Sequence, residues 1–190
     1  MKYSSVFELV STECGKAKVP FILVGGFAVN YYQATRNTMD VDFMMTEANF
    51  EKAEPFFKEA GYSEVMKQHL YARLKRGGAE PDPAEGLFMD IDILFTEPST
   101  FEGIFKEARE AEIRGAKIKV ISLDHLMAMK LHSLKNNPEG RRDPDLTDLV
   151  RLIQINKVNA ESDFFREFCR KYGTQEIYDN IVQKVKLWKT

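Results

Sequence analysis

The chain has 190 residues, 44% of them hydrophobic, with 27 Lys and Arg against 29 Asp and Glu and a formal net charge of -2. A chain of this length buries about 70% of the surface its unfolded form exposes, enough for one full core, and so apolar a composition at so small a net charge excludes intrinsic disorder. The near balance of charge also excludes a protein that coats nucleic acid through bulk positive charge, so any such contact must be local.

Glu8 and Glu13 interrupt the opening segment, which predicts no signal or transit peptide and a cytoplasmic protein. A helix is expected near residues 3 to 15. The apolar run Val19 to Val24, followed by glycines, reads as a buried strand, and Gly25-Gly26 turns the chain into a helix reaching about Ala34. The uncharged stretch Val19 to Thr35 contains Pro20, Gly25, Gly26, Asn30 and Gln33 and is therefore no membrane span. Met39 to Met45 is a second strand, Glu47 to Ala60 an amphipathic helix stopped by Gly61, and Tyr62 to Leu74 one or two strands. Arg76 to Gly86, with Gly77, Gly78, Pro81 and Pro83, is expected to form a mobile loop. Leu87 to Phe95 is a strand, Ser99 to Glu110 a helix, and Ala116 to Ile121 a last strand. From Ser122 onward the pattern is helical, with a break at Asn136 to Asp143. This order predicts an α/β (α+β) fold with a mixed β-sheet flanked by helices over residues 1–121, and a C-terminal helical region over 122–190.

Charge is unevenly spread. Residues 37–105 carry 6 basic and 14 acidic side chains, whereas 106–142 carry 9 and 5, and 151–190 carry 8 and 5. An acidic half and a basic half suit a site that holds cations and phosphates together. Cys14 and Cys169 have no CxxC or Cys/His grouping and are expected as buried reduced thiols, and His69, His125 and His132 lack metal-ligand spacing.

Asp40-Val41-Asp42 lies within a predicted strand, so both carboxylates project from one face, a few ångströms apart. Strands are depleted in Asp. The pair is either a solvated edge face or a divalent cation site. Asp90-Ile91-Asp92 repeats the pattern in the strand that ends at Phe95, and a third carboxylate beside the first two completes a set able to hold metal ions against phosphate. Asp92, between Ile91 and Ile93, is the choice for that third position, with Asp90 nearer the loop. Gly25-Gly26 admits a ligand close to the backbone at a helix start, although such turns are common in α/β proteins.

Gly25-Gly26-Phe27-Ala28, then Arg36-x-Thr38-x-Asp40-x-Asp42, then Asp92 resemble the polymerase-β-type nucleotidyltransferase superfamily, in its small prokaryotic branch of AbiEii-like toxin nucleotidyltransferases. The helical lysine Lys130 and the Asp145-x-x-Asp148 helix start look like a further segment of that family, with Pro144 where many relatives carry a basic residue. The resemblance covers about residues 20–155. It implies a fold in which the Gly25-Gly26 turn receives a nucleoside triphosphate, and Asp40, Asp42 and Asp92 bind Mg²⁺ (or Mn²⁺) for attack on the α-phosphate. Arg36, Thr38, Lys130 and Asp148 are then nucleotide-binding, and the helical region closes over the nucleotide. It also implies a toxin–antitoxin or defence role with a cognate antitoxin or other partner protein. Read from the residues alone, Lys130 lies on an apolar stripe with Leu123, Leu126, Met127, Leu131 and Leu134, where it either meets an anion or snorkels to solvent, and Asp145 and Asp148 are equally readable as capping acids.

The implied function is transfer of a nucleoside monophosphate to an acceptor hydroxyl on an RNA or tRNA 3′ end, a protein or a small molecule. An RNA acceptor would be held by Arg141, Arg142, Arg166, Arg170 and Lys171, unless these are solvated helix faces. Two alternatives stand beside it: a catalytically inactive nucleotide- or partner-binding module, and a metal-dependent phosphohydrolase with water as acceptor.

Overall fold

The computed structural model of the chain describes residues 3–76, 89–136 and 138–187. The chain divides into two compact units, Met1–Ala28 with Asn37–Ser122, and Val29–Arg36 with Leu123–Thr190. Among the described residues the first unit holds α1 (Val6–Lys16), β1 (Ile22–Leu23), the start of α2 (Gly25–Tyr31), β2 (Asp40–Met45), α3 (Glu47–Glu59), β3 (Glu64–Lys67), β4 (Tyr71–Lys75), β5 (Asp90–Phe95), α4 (Pro98–Glu107), β6 (Arg109–Ile113) and β7 (Ala116–Val120). The second holds α5 (Leu123–Asn136), α6 (Pro138–Ile155), α7 (Asp163–Tyr172) and α8 (Gln175–Leu187). No helix among the described residues is long and apolar enough to cross a membrane.

The strands form one mixed sheet in the order β3-β4-β5-β2-β1-β7-β6. β2 runs parallel to β5 and β1 parallel to β7, while the remaining neighbours are antiparallel. Val41, Phe43 and Met45 of β2, Ile91 and Ile93 of β5, and Ala72 and Leu74 of β4 are fully buried. Each larger one contributes about 1.5–3 kcal/mol relative to an exposed position. Because side chains alternate, burying this set turns Asp40, Asp42, Asp90, Asp92 and Arg73 to the other face. Ser5 and Thr46 accept from Glu8 and Asn49 backbone N–H groups at 3.2 Å, so each of α1 and α3 starts at a side-chain cap.

Several elements differ from the sequence expectation, among them α2, which ends at Tyr31 and not near Ala34. β1 keeps Ile22–Leu23 of the expected Val19–Val24, because Pro20 has no N–H for the ladder and the Val19 N–H bonds the Cys14 carbonyl at 2.8 Å. β6 takes residues from the end of the helix expected to reach Glu110. Its Arg-Glu-Ala-Glu is helix-forming by propensity, but Arg114 (φ 48°) and Gly115 (φ 79°) are both left-handed, which closes a tight hairpin onto β7. α6 starts at Pro138 rather than after Asp143 and continues through Pro144; a proline at the first helical position gives up an N–H that has no intrahelical partner anyway. Residues 77–86 of the expected loop and 87–88 of the expected strand lie outside the described residues.

In the second unit Leu126, Leu131 and Leu134 of α5, Leu149, Leu152 and Ile153 of α6, Phe165 and Cys169 of α7, and Tyr178 and Ile181 of α8 are buried, together with Val29, Tyr32 and Ala34. Asn30 clamps the connecting segment, donating to the Arg36 carbonyl at 3.0 Å and accepting from the Arg36 N–H at 2.8 Å.

Candidate active site

The parallel pairing of β2 with β5 sets Asp40 opposite Asp90 and Asp42 opposite Asp92. Four carboxylates therefore share one sheet face on two adjacent strands. The Gly25-Gly26 turn is built onto one of them. The Val24 N–H bonds the Asp42 carbonyl at 2.9 Å, and the Gly26 N–H points at Asp42 Oδ2 from 3.4 Å. Gly25 takes φ 59°, and a Cβ there would overlap the Asp42 carboxylate, so glycine is required for both conformation and space. The Thr38 hydroxyl lies 3.0 Å from Asp40 Oδ1 and 3.2 Å from the Asp40 carbonyl, which orients that carboxylate.

Arg73 is a partner of these carboxylates that the sequence pattern does not reveal. It sits directly opposite Asp92 in the antiparallel register of β4 and β5. Its Nε lies 2.6 Å from Asp92 Oδ1, its Nη2 2.5 Å from Asp92 Oδ2, and the same Nη2 is 3.7 Å from Asp40 Oδ2. These contacts with Asp92 raise an already high guanidinium pKa further, and the Asp40 and Asp90 charges add to the effect. The alternation Tyr71-Ala72-Arg73-Leu74-Lys75 does put Arg73 on the polar face, but nothing in the sequence says that this strand pairs with β5. Among the described residues no three His, Cys, Asp or Glu side chains are grouped closely enough to cage a metal ion as they stand.

The second unit holds an ionic cluster of its own residues. Lys130 is 6% exposed, and its Nζ lies 2.8 Å from Asp145 Oδ1 and 2.7 Å from Asp148 Oδ2. Arg36 Nε approaches Asp148 Oδ2 to 3.1 Å, an ion-pair contact without hydrogen-bond alignment. The stripe lysine thus meets anions, and they belong to its own unit. Because α6 begins at Pro138, Asp145 and Asp148 fall in its interior and are not capping acids. On α7 Arg166 pairs with Asp163 and Arg170 with Glu167, both at 2.8 Å, and Lys171 lies 4.9 Å from the centre of the Tyr172 ring. The Arg141 and Arg142 side chains lie outside what the structure describes.

The family model for the nucleotidyl transferase AbiEii toxin of type IV toxin–antitoxin systems matches residues 9–187. The chain belongs to the AbiEii nucleotidyltransferase toxin family. It is thus a nucleotidyltransferase by family. No curated protein matches this AbiEii-family chain in sequence. Solved structures similar to it include the antibiotic-resistance factor ANT(2'')-Ia, with a TM-score of 0.54 at 12% identity over 95% of this chain and 90% of that one. An antigenic nucleotidyltransferase-like protein from Paracoccidioides brasiliensis has a TM-score of 0.53 at 16% identity over 95% and 89%. The lincomycin-bound lincosamide adenylyltransferase LnuA has a TM-score of 0.51 at 17% identity over 77% and 93%. At these identities the likeness is one of fold, and it establishes the nucleotidyltransferase fold for this AbiEii-family member.

Proposed function

We propose that this protein transfers a nucleoside monophosphate from a nucleoside triphosphate to an acceptor hydroxyl, using Mg²⁺ or Mn²⁺ held by Asp40, Asp42 and Asp92. The carrying observation is the register of β2 and β5, which aligns Asp42 with Asp92 beside a glycine turn shaped around Asp42. The donor set fits the ion: it is all carboxylate oxygen, as hard divalent cations require, and the face already attracts a positive group in Arg73. When bound, the ion supplies charge for the phosphate oxygens and makes the attacking hydroxyl more acidic.

The first unit is the catalytic core, and the rest of the chemistry is positioning. Gly25 and Gly26 leave the backbone open to the triphosphate. Thr38 holds Asp40 in place, and a carboxylate oxygen of Asp92 takes the acceptor's proton. The acceptor oxygen bonds to the α-phosphorus as the bond to the bridging oxygen of the β-phosphate breaks, and pyrophosphate leaves. In the second unit, Lys130 and Arg36 act by fixing Asp145 and Asp148.

The acceptor is an RNA. The observation that favours it is a row of aromatic rings on α7, with Phe164 and Phe168 centroids 6.3 Å apart and Phe168 and Tyr172 4.9 Å apart, flanked by Arg166, Arg170 and Lys171. Rings on which bases stack beside cations that follow a backbone suit single-stranded RNA, and exposed ion pairs as weak as those on α7 exchange readily for phosphate. A small-molecule hydroxyl is the competing acceptor, given that LnuA is an adenylyltransferase solved with lincomycin. The toxin family supports a cognate antitoxin partner and a cytoplasmic setting. Incubation with each α-³²P-labelled nucleoside triphosphate, Mg²⁺, and cell RNA and protein tests the reading. Label should move to RNA and vanish with EDTA or Asp42→Asn. Nucleotide binding with no transfer to any fraction would leave an inactive binding module, and release of nucleoside monophosphate to water a hydrolase.

A further inference from the structure

Arg73 clasps both oxygens of Asp92 and reaches toward Asp40 with the same nitrogen. A planar guanidinium holding a carboxylate through two parallel N–H···O bonds is among the stronger polar contacts, and while it holds, it takes one lone pair of each Asp92 oxygen and sets a positive charge against any second cation there. A cross-strand pair whose task was to brace the sheet would need no contact beyond Asp92. Here the guanidinium bonded to Asp92 of β5 also lies 3.7 Å from Asp40 Oδ2 of β2, within ion-pair range but beyond hydrogen-bond reach, so its charge faces carboxylates on both strands. The Arg73 side chain is 39% exposed, so it can leave Asp92 by rotating its stem, with no change in the buried face beneath. The ligand it would leave for is a polyphosphate, which offers the same bidentate oxygen geometry with more charge.

We propose that Arg73 is a built-in counter-ion that makes metal binding at this face depend on nucleotide. In the free protein the guanidinium holds Asp92 against a divalent ion. An arriving triphosphate draws Arg73 onto its own oxygens and releases Asp92 to the ion that enters with the nucleotide. Arg73 is then a positioning residue in the free protein and a phosphate contact in the loaded one. The device keeps a nucleotide-consuming site from assembling around metal alone, and by linkage metal tightens nucleotide by the factor that nucleotide tightens metal. The inference rests on reading Asp40, Asp42 and Asp92 as the metal ligands.

The test is Mn²⁺ titration of the whole protein, followed by the electron paramagnetic resonance signal of free Mn²⁺, with and without the α,β-methylene analogue of each nucleoside triphosphate. Wild type should bind Mn²⁺ weakly alone and about 5–150-fold more tightly with the preferred analogue, the usual span of such couplings. Arg73→Gln should bind Mn²⁺ tightly without nucleotide and lose most of the gain from the analogue. Arg73→Lys, whose point charge cannot clasp both oxygens, should fall between them and carries the test if Arg73→Gln does not fold. Equal Mn²⁺ affinity of wild type and both variants without nucleotide overturns the gating and leaves the metal site standing. No Mn²⁺ binding by any of them, with or without analogue, overturns the metal reading and the gating together.

Discussion

Replacing Lys130 by methionine separates two roles for a lysine on an apolar stripe. Its side chain is 7% exposed, and the two carboxylates it meets, Asp145 and Asp148, are 9% and 2% exposed. Removing one partner of a buried ion pair strands the other charge away from water, which costs about 3–5 kcal/mol. Asp148 keeps the Arg36 guanidinium 3.1 Å away, so Asp145 bears most of the loss, and the lower end, about 3 kcal/mol, applies. For a chain of this size each kcal/mol moves the melting temperature by about 2–4 °C, so Lys130→Met should melt about 6–12 °C below wild type at pH 7. Thermal unfolding followed by circular dichroism reads this directly. Adding Asp145→Asn to Lys130→Met removes the stranded charge and should recover about half of the loss. A Lys130→Met protein that melts within about 2 °C of wild type but has lost nucleoside triphosphate affinity in titration calorimetry would refute the reasoning, since the lysine would then serve phosphate and not the cluster.

Four further outcomes are expected. Asp42→Asn should lower nucleotidyl transfer at least about 100-fold while the melting temperature holds or rises, because it removes one of several like charges from a single face; a variant with most of its rate intact would sink the mechanism. Gly25→Ala must take φ 59° at a cost of about 1–2 kcal/mol and push the Asp42 carboxylate aside, so melting temperature and transfer should fall together, and wild-type activity in this variant would contradict the geometry. Burial pushes the Cys14 and Cys169 thiols up from 9.0 to about 12. The unfolded chain therefore gives up these protons first, and stability should fall as pH rises from about 9 toward 12, less steeply in Cys169→Ala, with rapid labelling of the folded protein at pH 8 by a thiol reagent as the contrary result. Arg170→Gln with Lys171→Gln should flatten the salt dependence of RNA binding by about 0.7 for each single-strand phosphate that is no longer neutralised, and an unchanged slope would favour the small-molecule acceptor.

Which residues share a face was legible in the amino-acid order alone. Asp40 and Asp42, then Asp90 and Asp92, alternate with Val41 and Ile91, and burying the apolar members leaves the acids no other side, whatever the neighbouring strands are. The same order located the glycine turn, the helices α1 and α3, the Lys130 stripe and the Asp145-x-x-Asp148 spacing, all features that act within one element or a few residues. Which faces meet was settled by long-range packing. That β2 and β5 run parallel in register, so that Asp42 stands beside Asp92, depends on pairing between distant segments, as does the antiparallel entry of β4 that delivers Arg73 to Asp92. Arg109 to Ile113 became a strand against its helical propensity because β7 offered a hairpin partner, and a pairing gained in the fold outweighs a preference worth a fraction of a kcal/mol per residue. Lys130 found its anions because α6 packs on α5, and no local rule states which of two stripes will face each other, since hydrophobic burial rewards the contact without naming the partner.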